Sequence, residues 1–84
     1  MRPVARIDLM NNERARSFFD GDLDVSRILR NISLETGVPI TTDTLVLLDE
    51  IQECPRALTA LKYFCEDARE YHVIATGSYM GIAR

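Results

Sequence analysis

Two adjacent carboxylates, Asp49 and Glu50, close the apolar run Leu45-Val46-Leu47-Leu48, and they are the residues of this chain best placed to do chemistry. A continuous apolar run of this length reads as a buried parallel strand, and acids at the carboxyl end of such a strand lie where open α/β sheets place their ligands. Successive strand residues point to opposite faces, so the two acids need not compete for one position. The plainer alternative is a strand that runs into a solvated turn or helix start.

The surrounding sequence gives the pair a context. Residues 44–84 read TLVLLDEIQECPRALTALKYFCEDAREYHVIATGSYMGIAR: a strand ending in Asp-Glu-Ile-Gln, a short turn with Pro, an amphipathic helix, and a second apolar strand ending in Thr-Gly-Ser. This arrangement resembles the middle of a family of prokaryotic AAA-type P-loop ATPases that join an ATPase domain to a C-terminal domain of poorly known function. Residues 6–37, including Phe-Phe-Asp-Gly-Asp-Leu-Asp, resemble the stretch before the Walker B strand of that family. The resemblance implies that Leu-Leu-Asp-Glu-Ile-Gln is a Walker B segment. Asp49 would help hold Mg²⁺, usually through water, and Glu50 would be the catalytic carboxylate that polarises the water attacking the γ-phosphate. Thr76 and Ser78 would be the polar sensor residues facing that phosphate. For an isolated Thr-Gly-Ser, a strand-ending turn built around Gly77 is the simpler account.

One departure bears on what the 84 residues can do alone. A phosphate cradle needs Gly-x-x-x-x-Gly-Lys followed by Ser or Thr, because backbone amides wrap the phosphates and the Lys reaches them. No such stretch occurs here; the only lysine is Lys62, and Gly21, Gly37, Gly77 and Gly81 are scattered. In the resembled family that loop lies upstream, so the sequence reads as an internal piece of a larger ATPase, a single partial core domain over 1–84. ATP and Mg²⁺ are the cofactors implied for the intact family protein, with neither held tightly by this chain. The competing expectation, from a different class, is a free-standing interaction or regulatory module.

Positioning the carboxylates requires an α/β scaffold. Val4 to Leu9 is expected to form the strand before Walker B. Asn11 or Asn12 caps a helix over Glu13 to Phe19, and Gly21 ends it. Asp22 or Asp24 caps a second helix through Glu35, in which Val25, Ile28, Leu29 and Ile32 share one face; Gly37 and Pro39 stop it. Pro55 opens a third helix, to about Arg69, with Leu58, Leu61, Cys65 and Ala68 as its buried stripe and Glu66, Asp67, Arg69 and Glu70 solvated. Tyr71 to Ala75 is the last strand. Alternating strands and helices imply right-handed crossovers and a three-layer α/β core of about three parallel strands and three helices, Walker B lying between the other two by family analogy. The last strand then has a bare edge, which predicts a homodimer or a contact with the parent ATPase through Tyr71 to Ala75.

Composition narrows the function classes. A hydrophobic content of 46% with 27% charged residues describes a folding chain rather than a disordered one. The net charge of −3 argues against a nucleic-acid surface. No apolar run approaches the roughly 18–20 residues of a membrane span and no signal-peptide core is present, so no membrane contact and a cytoplasmic location are expected. Cys54 and Cys65 are too few for a zinc site or a disulfide framework. Cys65 is expected in the core and Cys54 in an exposed turn; the lone His72 is expected to be structural.

Overall fold

The computed structural model describes residues 2–77. Three strands, β1 (Val4–Asp8), β2 (Leu45–Asp49) and β3 (His72–Ala75), form one parallel sheet in the order β1-β2-β3. Helices α1 (Glu13–Ser17) and α2 (Val25–Thr36) lie between β1 and β2; a short 3₁₀ turn (Ile51–Glu53) and α3 (Pro55–Asp67) lie between β2 and β3. The strand that ends in Asp49, β2, is therefore central, flanked by the first and last strands as expected.

Both crossovers step in the same direction across the sheet, and right-handed crossovers in one direction deliver their helices to one face. The register agrees. Ala5, Val46 and Val73 align across the strands, as do Ile7, Leu48 and Ala75, and these six residues belong to or pack against the core. The alternate residues, Val4, Leu45 and His72 in one row and Arg6, Leu47 and Ile74 in the next, point to the other face, where Val4 is 47% and Ile74 48% exposed. Three parallel strands and three helices are thus present. Of the expected three layers, the described residues supply the sheet and one helical layer, and the second sheet face stays open.

Local signals account for most element ends. Asn12 caps α1 by accepting from the Ala15 amide at 3.1 Å, and it donates to Glu35 Oε2 at 3.0 Å. The helix is shorter than expected because its last turn tightens to i→i−3 bonds, from Phe18 to Ala15, Phe19 to Arg16 and Asp20 to Ser17. Asp24 is the residue before α2, though its side chain makes no cap bond. The α2 helix buries Ile28, Leu29 and Ile32 and stops at Gly37, whose φ of 73° suits a glycine. The connection to β2 is held by the buried Thr44, whose hydroxyl donates to the Pro39 carbonyl at 2.9 Å and accepts from the Thr41 amide at 3.0 Å.

The α3 face corrects the sequence reading. Ala57, Ala60, Phe64 and Ala68 are buried and Leu61 half-buried, whereas Leu58 is 43% exposed and Cys65 is exposed. The helix is rotated by about one residue from the expected stripe, and it packs chiefly against the 3₁₀ turn and α2. Leu61 and Cys65 instead line a cavity of about 240 Å³ beside β3 with Phe64, Arg69, Tyr71 and Val73. The cysteines exchange roles as well. Cys54 is buried beneath the start of α3, and burial pushes its thiol pKa up. No helix among the described residues is long and apolar enough to cross a membrane.

Candidate functional site

The ladder between β2 and β3 does not stop at the strand ends. The Thr76 amide donates to the Leu48 carbonyl at 3.0 Å, and the Ile51 amide donates back to the Thr76 carbonyl at 2.9 Å. On the other side, the Leu9 amide donates to the Asp49 carbonyl at 2.9 Å. These bonds fix the backbone at the carboxyl end of the central strand from both neighbours, so the side chains there are set on rigid supports.

Asp49 projects from the open face of the sheet. Its Oδ1 accepts from the Thr76 hydroxyl at 2.5 Å. Its Oδ2 accepts from Arg6 twice, from Nε at 2.9 Å and from Nη2 at 2.5 Å. The Thr76 hydroxyl, then the Arg6 guanidinium, hold the Asp49 carboxyl below the usual carboxylate range, so it is anionic at neutral pH. Asp8 is level with Asp49 in the register but is turned away. Its carboxylate accepts from Asn11 Nδ2 at 3.1 Å and from the Met10 and Asn11 amides at 3.0 and 3.3 Å, and the Asn11 side chain is the main cause of its lowered pKa.

Glu50 leaves the strand in the left-handed region, with φ 57° and ψ 51°, the one non-glycine residue with positive φ among those described. Such a conformation costs roughly 1–3 kcal/mol and clusters at functional sites. It turns the chain into the 3₁₀ turn and lets Gln52 reach back, its Nε2 donating to Glu50 Oε1 at 2.7 Å. With the amide nitrogen committed to Glu50, Gln52 Oε1 faces Gly77; it is buried and has no partner among the described residues. A Cβ at Gly77 would fall well inside van der Waals contact with that oxygen. Because that oxygen ends a flexible side chain, a larger residue at 77 would require Gln52 to turn aside.

The structure brings three of the four sequence-predicted site residues to one end of the sheet: Asp49, Glu50 and Thr76. Ser78 lies outside the described residues. Arg6 and Gln52 complete the arrangement and were not singled out by sequence. Gln52 belongs to the Asp-Glu-Ile-Gln segment, which could have prompted the question of what it holds. Arg6 left no signal, since its link to Asp49 depends on strand register. A separate groove of about 610 Å³ runs between α2 and the α3–β3 turn at the amino ends of β2 and β3, lined in part by Leu29, Ser33, Ile40 and Tyr71; it is remote from these carboxylates.

A family profile described as an AAA domain matches residues 2–83. The chain belongs to this AAA-domain family. Searches of curated proteins and of solved structures gave no match. The family suggests nucleotide and Mg²⁺ use by intact AAA-domain proteins, and the donor set here fits such a metal in a limited way. Mg²⁺ is ordinarily bound through one or two carboxylates, with waters and substrate phosphates completing its octahedron. Among the described residues no three His, Cys, Asp or Glu side chains converge.

Proposed function

We propose that the chain is the portion of an ATP-binding AAA-type ATPase that supplies the metal-side carboxylate Asp49, the water-polarising Glu50 and the sensor-like Thr76. The observation that carries this reading is the meeting of Asp49 and Thr76, 2.5 Å apart, at the carboxyl ends of adjacent parallel strands, with Glu50 the next residue. In the working site, a bound divalent cation would neutralise charge on the phosphates. Thr76 fixes the rotamer of Asp49 through Oδ1. Glu50 is oriented by Gln52 and would accept a proton from the attacking water, its carboxylate held off the strand by the left-handed turn. Ser78 is the second sensor candidate on sequence grounds alone.

The chain by itself is expected not to turn ATP over. No glycine-rich Lys-Ser or Lys-Thr loop occurs in its 84 residues, and phosphoryl transfer depends almost entirely on positioning and charge stabilisation. A phosphate-release assay on the purified chain should stay at background. Hydrolysis that disappears on Glu50→Gln would overturn the expected inactivity of the chain alone, and hydrolysis that Glu50→Gln leaves intact would overturn the role given to Glu50.

Among the described residues no strand pairs with the outer edge of β3 and no helix covers the second sheet face, which supports a second reading, a protein-interaction or regulatory module. The Tyr71 to Ala75 segment would pair with a second copy or with a parent ATPase. An unpaired strand edge is a template for another strand, and Ile74 stands 48% exposed on the adjoining face. Light scattering at micromolar concentration should then give a dimer mass that Ile74→Lys reduces to the monomer. A monomer throughout removes the homodimer, and failure to capture a full-length parent ATPase removes the other partner.

A further inference from the structure

We infer that Arg6 is a resident counter-ion of the Asp49 carboxylate, which must move aside before a divalent cation can share that carboxylate, so that Arg6 sets the affinity of the chain for metal. This rests on the reading of Asp49 as the metal-side carboxylate. Both Asp49 oxygens already carry donors, Oδ1 the Thr76 hydroxyl and Oδ2 two N–H groups of one guanidinium. The Thr76 contact is neutral and compatible with a metal, since a hydroxyl can remain on Oδ1 while a cation or its water approaches Oδ2. The guanidinium is not compatible: it fills the approach to Oδ2 and cancels the charge that would draw the cation there.

The pair is built to be exchanged. The Arg6 side chain is 55% exposed and that of Asp49 22%, so the contact is solvent-screened and weak by the standard of buried pairs. Arg6 stands on the open sheet face, level with Leu47, with solvent into which its long side chain can swing. Without metal, Arg6 lowers the repulsion that Asp49 and Glu50 would exert on an approaching polyphosphate.

Mn²⁺ is the probe for the test, its free concentration read by electron paramagnetic resonance at low ionic strength, on the whole chain and its Arg6→Gln, Arg6→Lys, Asp49→Asn and Arg6→Gln/Asp49→Asn forms. Arg6→Gln is expected to bind Mn²⁺ about three- to fivefold more tightly than the parent chain, Arg6→Lys to fall between them, and both Asp49→Asn forms to lose the site. Asp49-dependent binding that Arg6→Gln leaves unchanged or weakens overturns the role of Arg6 alone. Binding indifferent to Asp49→Asn, or none in Arg6→Gln, overturns the metal role of Asp49 and this inference with it. In the unsubstituted chain, Mg²⁺ should shift the Arg6 Nε–H resonance with the same midpoint as the Thr76 amide; a titration that moves Thr76 and leaves Arg6 in place overturns the inference independently of any variant.

Discussion

Phe19→Ala should remove about 3–5 kcal/mol of stability, enough to abolish a folded baseline in a urea titration at room temperature or to reduce it to a short one. Phe19 is fully buried and is among the largest side chains in the core, held where the tightened end of α1 turns towards α3. Its carbonyl accepts from Arg56 Nε at 3.0 Å, and that anchor would keep the backbone from closing over the cavity. For a chain of 84 residues the whole stability is of the order of 4–13 kcal/mol, and only about 60–65% of the unfolded surface is buried on folding. One lost aromatic ring is then a third or more of a middling value. Leu34→Ala, at a position 77% exposed, should move the midpoint by less than about 0.5 kcal/mol. If the two substitutions had similar effects, Phe19 could not occupy the core.

The second large effect concerns the backbone at Glu50. Glu50→Gly should be more stable than Glu50→Val by about 1–2 kcal/mol in the same titration. Both substitutions remove the carboxylate that Gln52 grips, so the comparison isolates the conformation itself. At φ 57° a Cβ crowds the following carbonyl at a cost of about 1–2 kcal/mol, more for a stiff β-branched side chain. Glycine avoids that, offset in part by about 0.5–1 kcal/mol of extra unfolded-state freedom. Equal stabilities, or valine ahead, would mean that residue 50 does not sit in the left-handed region. The expected order places the glutamate where a glycine is the easier residue. That conflict between local preference and side-chain identity is in keeping with the role proposed for Glu50.

The parts of the fold that depend on neighbours in sequence were legible there, and the parts that depend on distant partners were not. The α2 helix is an example of the first kind. Its buried residues follow one helical stripe, and Gly37 ends it. The central strand was equally plain because a run of Leu and Val with acids at its end has few other uses. The α3 helix shows how the reading failed. Its apolar residues fall into two adjacent stripes, one rich in alanine and one carrying Leu58 and Cys65, and side-chain size alone points to the second as the inner one. Size favours Leu58, but Ala57 and Ala60 are the buried residues, and only the tertiary partners of α3, the 3₁₀ turn and α2, decide between them. At the candidate site, Asp49 and Glu50 could be picked out because they close an apolar strand, and Thr76 because the resemblance to AAA-type ATPases implies a polar residue there. Arg6 could not, since no local rule links it to a carboxylate on another strand.

The same strand arrangement has a consequence for how the chain is made. Among the described strands, β1 leaves the ribosome before its partner β2, which follows only after α1, α2 and the loop through Thr44 have been synthesised. Such non-local parallel pairing is slow to form and leaves apolar segments waiting in the open. Two of the five residues of β1 are charged, Arg6 and Asp8, and charges placed within a strand act as gatekeepers against premature association. Arg6 would then serve the nascent strand as a guard against aggregation before it ever meets Asp49.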